Sequence, residues 1–110
     1  MKLSLLLLAL FLGQINTLQT REVVHLPSHQ DRIGIQCGGK LVELINSPWV
    51  VFLPLFPPKP DSEGVPWTVD IKNLGPSSVT VSGKSPFSVE ISVGQTVRVD
   101  SNGSVYIAKH

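Results

Sequence analysis

The second half of the chain alternates. Phe87, Val89, Ile91 and Val93 are apolar, with Ser88, Glu90 and Ser92 between them, and Val97 and Val99 alternate with Arg98 and Asp100. A period of two marks half-buried strands, because successive side chains on a pleated strand face opposite ways. Trp67–Asn73, Val79–Ser82, Phe87–Val93, Thr96–Asp100 and Ser104–Lys109 are strand-length runs separated by turn residues, so strands are predicted over all of them. The last hairpin has a choice of register. A three-residue loop, Ser101 to Gly103, sets Val99 against Val105 and Val97 against Ile107, burying four apolar residues together. It also suits a type I turn with Gly103 in the left-handed position, and this register is the one expected.

The first half is less regular. Arg21 to Asp31 reads as an irregular lead-in with an edge strand at Glu22 to Leu26. Ile33–Cys37, Gly38-Gly39 and Lys40–Ile45 read as a hairpin, since a primed turn needs positive φ at both central positions. A short helix carrying Leu41, Leu44 and Ile45 on one face is the competing assignment. Pro48 to Phe56 is a buried strand or an extended apolar arm, and residues 57–66 form a proline-rich loop. Neither half could bury a core alone, so residues 21–110 are expected to make one domain. The predicted class is all-β, a small antiparallel β-sandwich or open barrel. Composition agrees with this. Trp67 to His110 holds eight Val, three Ile and three Thr against one Leu, and Ala108 is the sole alanine after residue 20.

The N-terminus changes the setting. Met1-Lys2, the apolar run Leu3–Leu12 interrupted only by Ser4, and then Gly13, Gln14, Asn16 and Thr17 have the layout of a secretory signal peptide over residues 1–20, and the apolar core is too short to span a bilayer. Cleavage before Arg21 leaves 90 residues with eight basic and eight acidic side chains. That balance excludes a polybasic nucleic-acid binder and an acidic tail. No later apolar segment is long enough to span a membrane, because Pro54 and Pro57-Pro58 break the run that begins at Trp49. A secreted, extracellular location is expected. Asn102-Gly103-Ser104 is then a possible N-glycosylation site, although Asn-Gly is also turn chemistry. Cys37 is the single cysteine, either a buried small hydrophobe or an intermolecular disulfide in a homodimer.

Candidate chemistry is sparse. His25 and His29 have helical ligand spacing, but Pro27 separates them and no third ligand follows, so no metal and no cofactor are implied. Ser28, His29 and Asp31 lie along an extended segment whose neighbouring side chains point apart. No nucleophile elbow or phosphate loop is present. Gly38-Gly39 beside Cys37 is accounted for by a turn, and Glu43, Asp70 and Glu90 read as single exposed strand positions. Two PxxP matches, Pro54–Pro57 and Pro57–Pro60, are better read as a stiff loop than as a ligand, because the usual partners of such motifs are intracellular. The remaining signal is aromatic. Trp49, Phe52, Phe56 and Trp67 bracket the proline-rich loop, as core or as a binding surface.

The sequence Asp70–Asn73, Val79–Val81, Val93–Val97 and Asp100–Tyr106 is similar in rhythm to secreted or viral-fibre β-sandwich modules, over about 40 residues. In size, signal and lack of enzymatic motifs the chain resembles short glandular secretions such as insect seminal-fluid proteins. The resulting expectation is a non-enzymatic domain that binds an extracellular protein or ligand in a reproductive or other glandular fluid. The alternative is a structural protein oligomerising through Cys37. A small hydrolase using His29 or Cys37 comes third.

Overall fold

The computed structural model describes residues 21–110, so the signal peptide expected over residues 1–20 lies outside the described residues. The described chain is a β-sandwich of two sheets. Its strands are β1 (Val23–Leu26), β2 (Leu41–Leu44), β3 (Val50–Phe52), β4 (Trp67–Asn73), β5 (Val79–Ser82), β6 (Ser88–Ile91), β7 (Thr96–Ser101) and β8 (Tyr106–Lys109). One sheet has the order β1-β2-β4-β7-β8, the other β3-β5-β6. The alternating valines and isoleucines face inward from both. Val42, Leu44, Val69, Ile71, Val97 and Val99 of the larger sheet share one core with Val51, Val79, Val81 and Ile91 of the smaller. Fully burying each such side chain contributes about 1.5–3 kcal/mol, which is what pins the alternation of every strand.

The sandwich form is the expected one, but the pairing is mixed rather than purely antiparallel. β1 with β2, β2 with β4 and β3 with β5 run parallel, while β4–β7, β7–β8 and β5–β6 are antiparallel. The chain reaches these parallel neighbours by crossing between sheets, as β3 belongs to one sheet and β2 and β4 to the other.

The expected hairpin around Gly38-Gly39 does not form. Ile35–Cys37 makes a single 3-10 turn instead, and β2 pairs with β1 and β4. Gly38 has φ −56° and ψ 135°, and only Gly39 is left-handed, at φ 77°. That is a type II turn, closed by the Lys40 amide donating to the Cys37 carbonyl at 3.1 Å, and type II geometry splays strands that a primed turn would bring together. Tertiary contact fixes the choice. A Cβ on Gly38 would lie 2.5 Å from the Trp67 indole nitrogen, and that nitrogen donates to the Ile35 carbonyl at 2.8 Å. Ile33 is buried as a consequence, while Ile35 turns outward.

The β7–β8 register also differs from expectation. Ser101 pairs with Tyr106 and Val99 with Ala108, leaving a four-residue turn, Asn102–Val105. Val105 and Ile107 therefore face out and Tyr106 faces in. The Tyr106 ring packs near Trp67 and Phe87, at centroid distances of 6.3 and 5.7 Å, and its hydroxyl donates to the Pro54 carbonyl at 2.6 Å. One buried aromatic with its hydroxyl satisfied outweighs two aliphatic side chains at the same edge.

Candidate functional site

β3 and the segment after it carry the exposed aromatics. Val51 and Leu53 point inward and are fully buried, so Val50 and Phe52 face out by simple alternation. Trp49, just before the strand, is 82% exposed, and Leu55 and Phe56, just after it, are 70% and 78% exposed. Phe52 is partly covered by the Arg32 guanidinium, 5.6 Å from the ring centre. β3 is an end strand of its sheet. Its free edge is met only at Phe52, whose amide donates to the Asp31 carbonyl and whose carbonyl accepts from the Ile33 amide.

Trp67 parts company with the other three. It packs against the core, donates to Ile35 as described, and forms one wall of a cleft of about 440 Å³ whose rim includes Lys59, Asp61, Thr68 and Arg98. The prolines beside that cleft are not free ligands. Pro57 and Pro58 are buried, and the Pro58 carbonyl accepts from the buried Ser101 hydroxyl at 2.7 Å. Asp61 shapes the loop by accepting from the Glu63 and Val65 amides at 2.8 and 3.0 Å.

Trp49 stands over a separate cleft of about 230 Å³, lined with Asn46, Ser47, Gly75, Pro76 and Ser77. Two loops build it, and buried Asn73 organises one of them. The Asn73 amide nitrogen donates to the Ser77 and Ile91 carbonyls at 2.8 and 2.9 Å, and its oxygen accepts from the Gly75 amide at 2.8 Å. The loops are tied together by Leu74 donating to Leu44 and Asn46 donating to Gly75, at 2.7 and 2.8 Å. Asn46 adopts φ 50°, a left-handed conformation that asparagine tolerates better than most residues. The Ser47 hydroxyl is buried with no hydrogen-bond partner. The sequence signal for this cleft was present as Asn46-Ser47-Pro48-Trp49. It goes unrecognised because nothing local says that Gly75–Ser77 folds against it.

The other single residues fall as follows. Cys37 is a free thiol, 3% exposed, within the core. His25 is exposed and lies 2.8 Å from Glu43, its cross-strand neighbour. His29 is exposed in the turn after β1. Among the described residues no three His, Cys, Asp or Glu side chains are grouped to hold a metal ion. Asn102 is exposed, and its side-chain oxygen accepts from the Ser104 and Val105 amides at 2.8 and 3.0 Å.

Asp70 corrects an expectation. It is 5% exposed rather than an open strand position, because Arg98 grips it through two bonds of 2.9 and 3.2 Å and Arg21 pairs with it as well. The long arginine stems cover the carboxylate on the outer face of the larger sheet. The same face carries the Asp100–Lys109 pair at 2.9 Å and the His25–Glu43 pair, with apolar Val23 and Ile107 beside them.

Comparison of the chain with family models, curated proteins and solved structures finds no significant match to any of them.

Proposed function

We propose that this chain is a secreted, non-enzymatic binding domain of an extracellular fluid, reproductive or otherwise glandular, and that it meets its partner through Trp49, Phe52 and Phe56. One observation carries the reading. Trp49, Leu55 and Phe56 remain 70–82% exposed although the core is complete without them. Large aromatics left in water have no folding role to account for them, and such residues dominate the centres of contact surfaces. The contrast between the sheets supports the same surface, since the larger sheet turns its paired charges outward and the smaller ends in β3.

Export is supported by the basic start and short apolar run at the N-terminus. The non-enzymatic part is supported by the separation of the groups a hydrolase would need. The Cys37 sulfur lies inside, while His25 and His29 lie at the surface and His25 is already engaged with Glu43. Cross-linking the secreted chain in its native fluid tests the contact. A Phe52→Ala, Phe56→Ala double variant with an unchanged far-UV spectrum should lose the adduct. Undiminished cross-linking by that variant removes this surface from consideration.

A second reading, edge-to-edge assembly, is favoured by β8, an end strand whose Val105–Ile107 flank is 45% exposed at both residues. It predicts a dimer in sedimentation that Ile107→Lys dissolves. A Cys37-linked version requires the turn that buries the thiol to open.

A further inference from the structure

The Trp49 cleft offers a particular chemistry. Its lining of Asn46, Ser47, Gly75, Pro76 and Ser77 contains no ionisable side chain. One wall is an indole, 82% exposed, which presents a flat π-face to solvent. Several backbone groups at the rim are already spent. The Asn46 amide is used by Gly75, the Gly75 amide by Asn73, and the Ser77 carbonyl by Asn73. A peptide strand adding to this rim would find those positions closed to it. What the rim offers is side chains, with Asn46 and Ser77 exposed and supplying an amide and a hydroxyl. The Ser47 hydroxyl, without a partner, loses no bond when it turns about χ1 toward a ligand.

Resting on the reading that exposed Trp49 is a contact residue, we propose that this cleft binds a neutral sugar ring. A pyranose has one face of C–H bonds that stacks on an indole, and an edge of hydroxyls that both donate and accept. That combination matches an aromatic wall beside uncharged amide and hydroxyl groups. Uncharged lining selects against sialic, uronic and sulfated sugars, whose anionic groups find no cation in the cleft and lose solvation on entering it. The site is largely pre-formed, because Asn73 and the bonds between the two loops hold it without ligand.

The test follows the indole N–H resonances of the secreted mature chain during titration. The probes are mannose, galactose, N-acetylglucosamine and their short oligomers, with N-acetylneuraminic acid and a heparin oligosaccharide as anionic counterparts. At least one neutral sugar should shift the Trp49 signal saturably and leave Trp67 in place, because the Trp67 N–H is held by Ile35. Trp49→Ala should weaken that binding at least about tenfold, Ser47→Ala about fivefold, and Trp49→Phe less than Trp49→Ala. Lys109→Ala, on the other sheet, should leave it unchanged. Silence from every neutral sugar, preference for an anionic one, or equal binding by Trp49→Ala overturns the proposal. If the titrations are silent while the Phe52, Phe56 variant still loses its cross-linked partner, the sugar assignment falls and the broader binding reading stands.

Discussion

At the scale of single residues, side chains whose chemistry looks ordinary in the sequence hold the most consequential positions. Tyr106 is one. Burial pushes its phenol from 10.0 up to about 12, and its hydroxyl donates to the Pro54 carbonyl. The protonated, neutral form is the one the fold favours. This contribution is complete below pH 10 and is lost as pH rises through 12. Chemical denaturation across that alkaline range should show the decline, and Tyr106→Phe should flatten it while costing about 1–2 kcal/mol at neutral pH. Asn73 is the second, with three hydrogen bonds made from a side chain 1% exposed. Asn73→Ala takes this partner from the buried Ile91 carbonyl and Gly75 amide and from the part-buried Ser77 carbonyl, so a loss of roughly 2–3 kcal/mol is expected, with faster hydrogen exchange at Gly75 as its local signature. Cys37 should resist thiol reagents in the folded chain and react at once in denaturant. Rapid labelling under native conditions contradicts its burial.

At the scale of elements, strands were legible and their turns were not. Trp67–Asn73 and Val79–Ser82 form with the boundaries that alternation and flanking turn residues imply, and the β6, β7 and β8 strands form within a few residues of them. Turn type was open because Gly-Gly permits several geometries. The Trp67 ring, 29 residues further along the chain than Gly38, selected the one that breaks the hairpin. Gly38→Ala tests this. The new methyl would overlap the indole, so a cost of about 1–3 kcal/mol and a shifted Trp67 fluorescence are expected. In the last hairpin, counting aliphatic residues favoured the wrong register. The count omitted Tyr106, whose partners Pro54, Trp67 and Phe87 all come from elsewhere in the chain.

At the scale of the whole molecule, the two faces of the sandwich differ. The larger sheet shows water a ladder of paired charges, with Asp70 held beneath Arg98 and Arg21. The smaller sheet ends in β3, with Trp49, Leu55 and Phe56 open to solvent around it. Of the aromatic residues singled out in the sequence, Trp49, Phe52 and Phe56 lie at the surface and Trp67 does not. Trp67 belongs to the core and its own cleft, and no local feature distinguishes it from Trp49, since both are tryptophans next to a proline and a strand.

Alternation, β-branched composition and the scarcity of alanine determined by themselves that this chain is all-β, while a sandwich and an open barrel both stayed open, because those properties act residue by residue and need no knowledge of distant partners. Strand order, parallel pairing, both turn types, the burial of Asp70 and the cleft at Trp49 were decided only in three dimensions. Each depends on contacts between segments far apart in sequence, where a single well-placed ring or amide outweighs local preference.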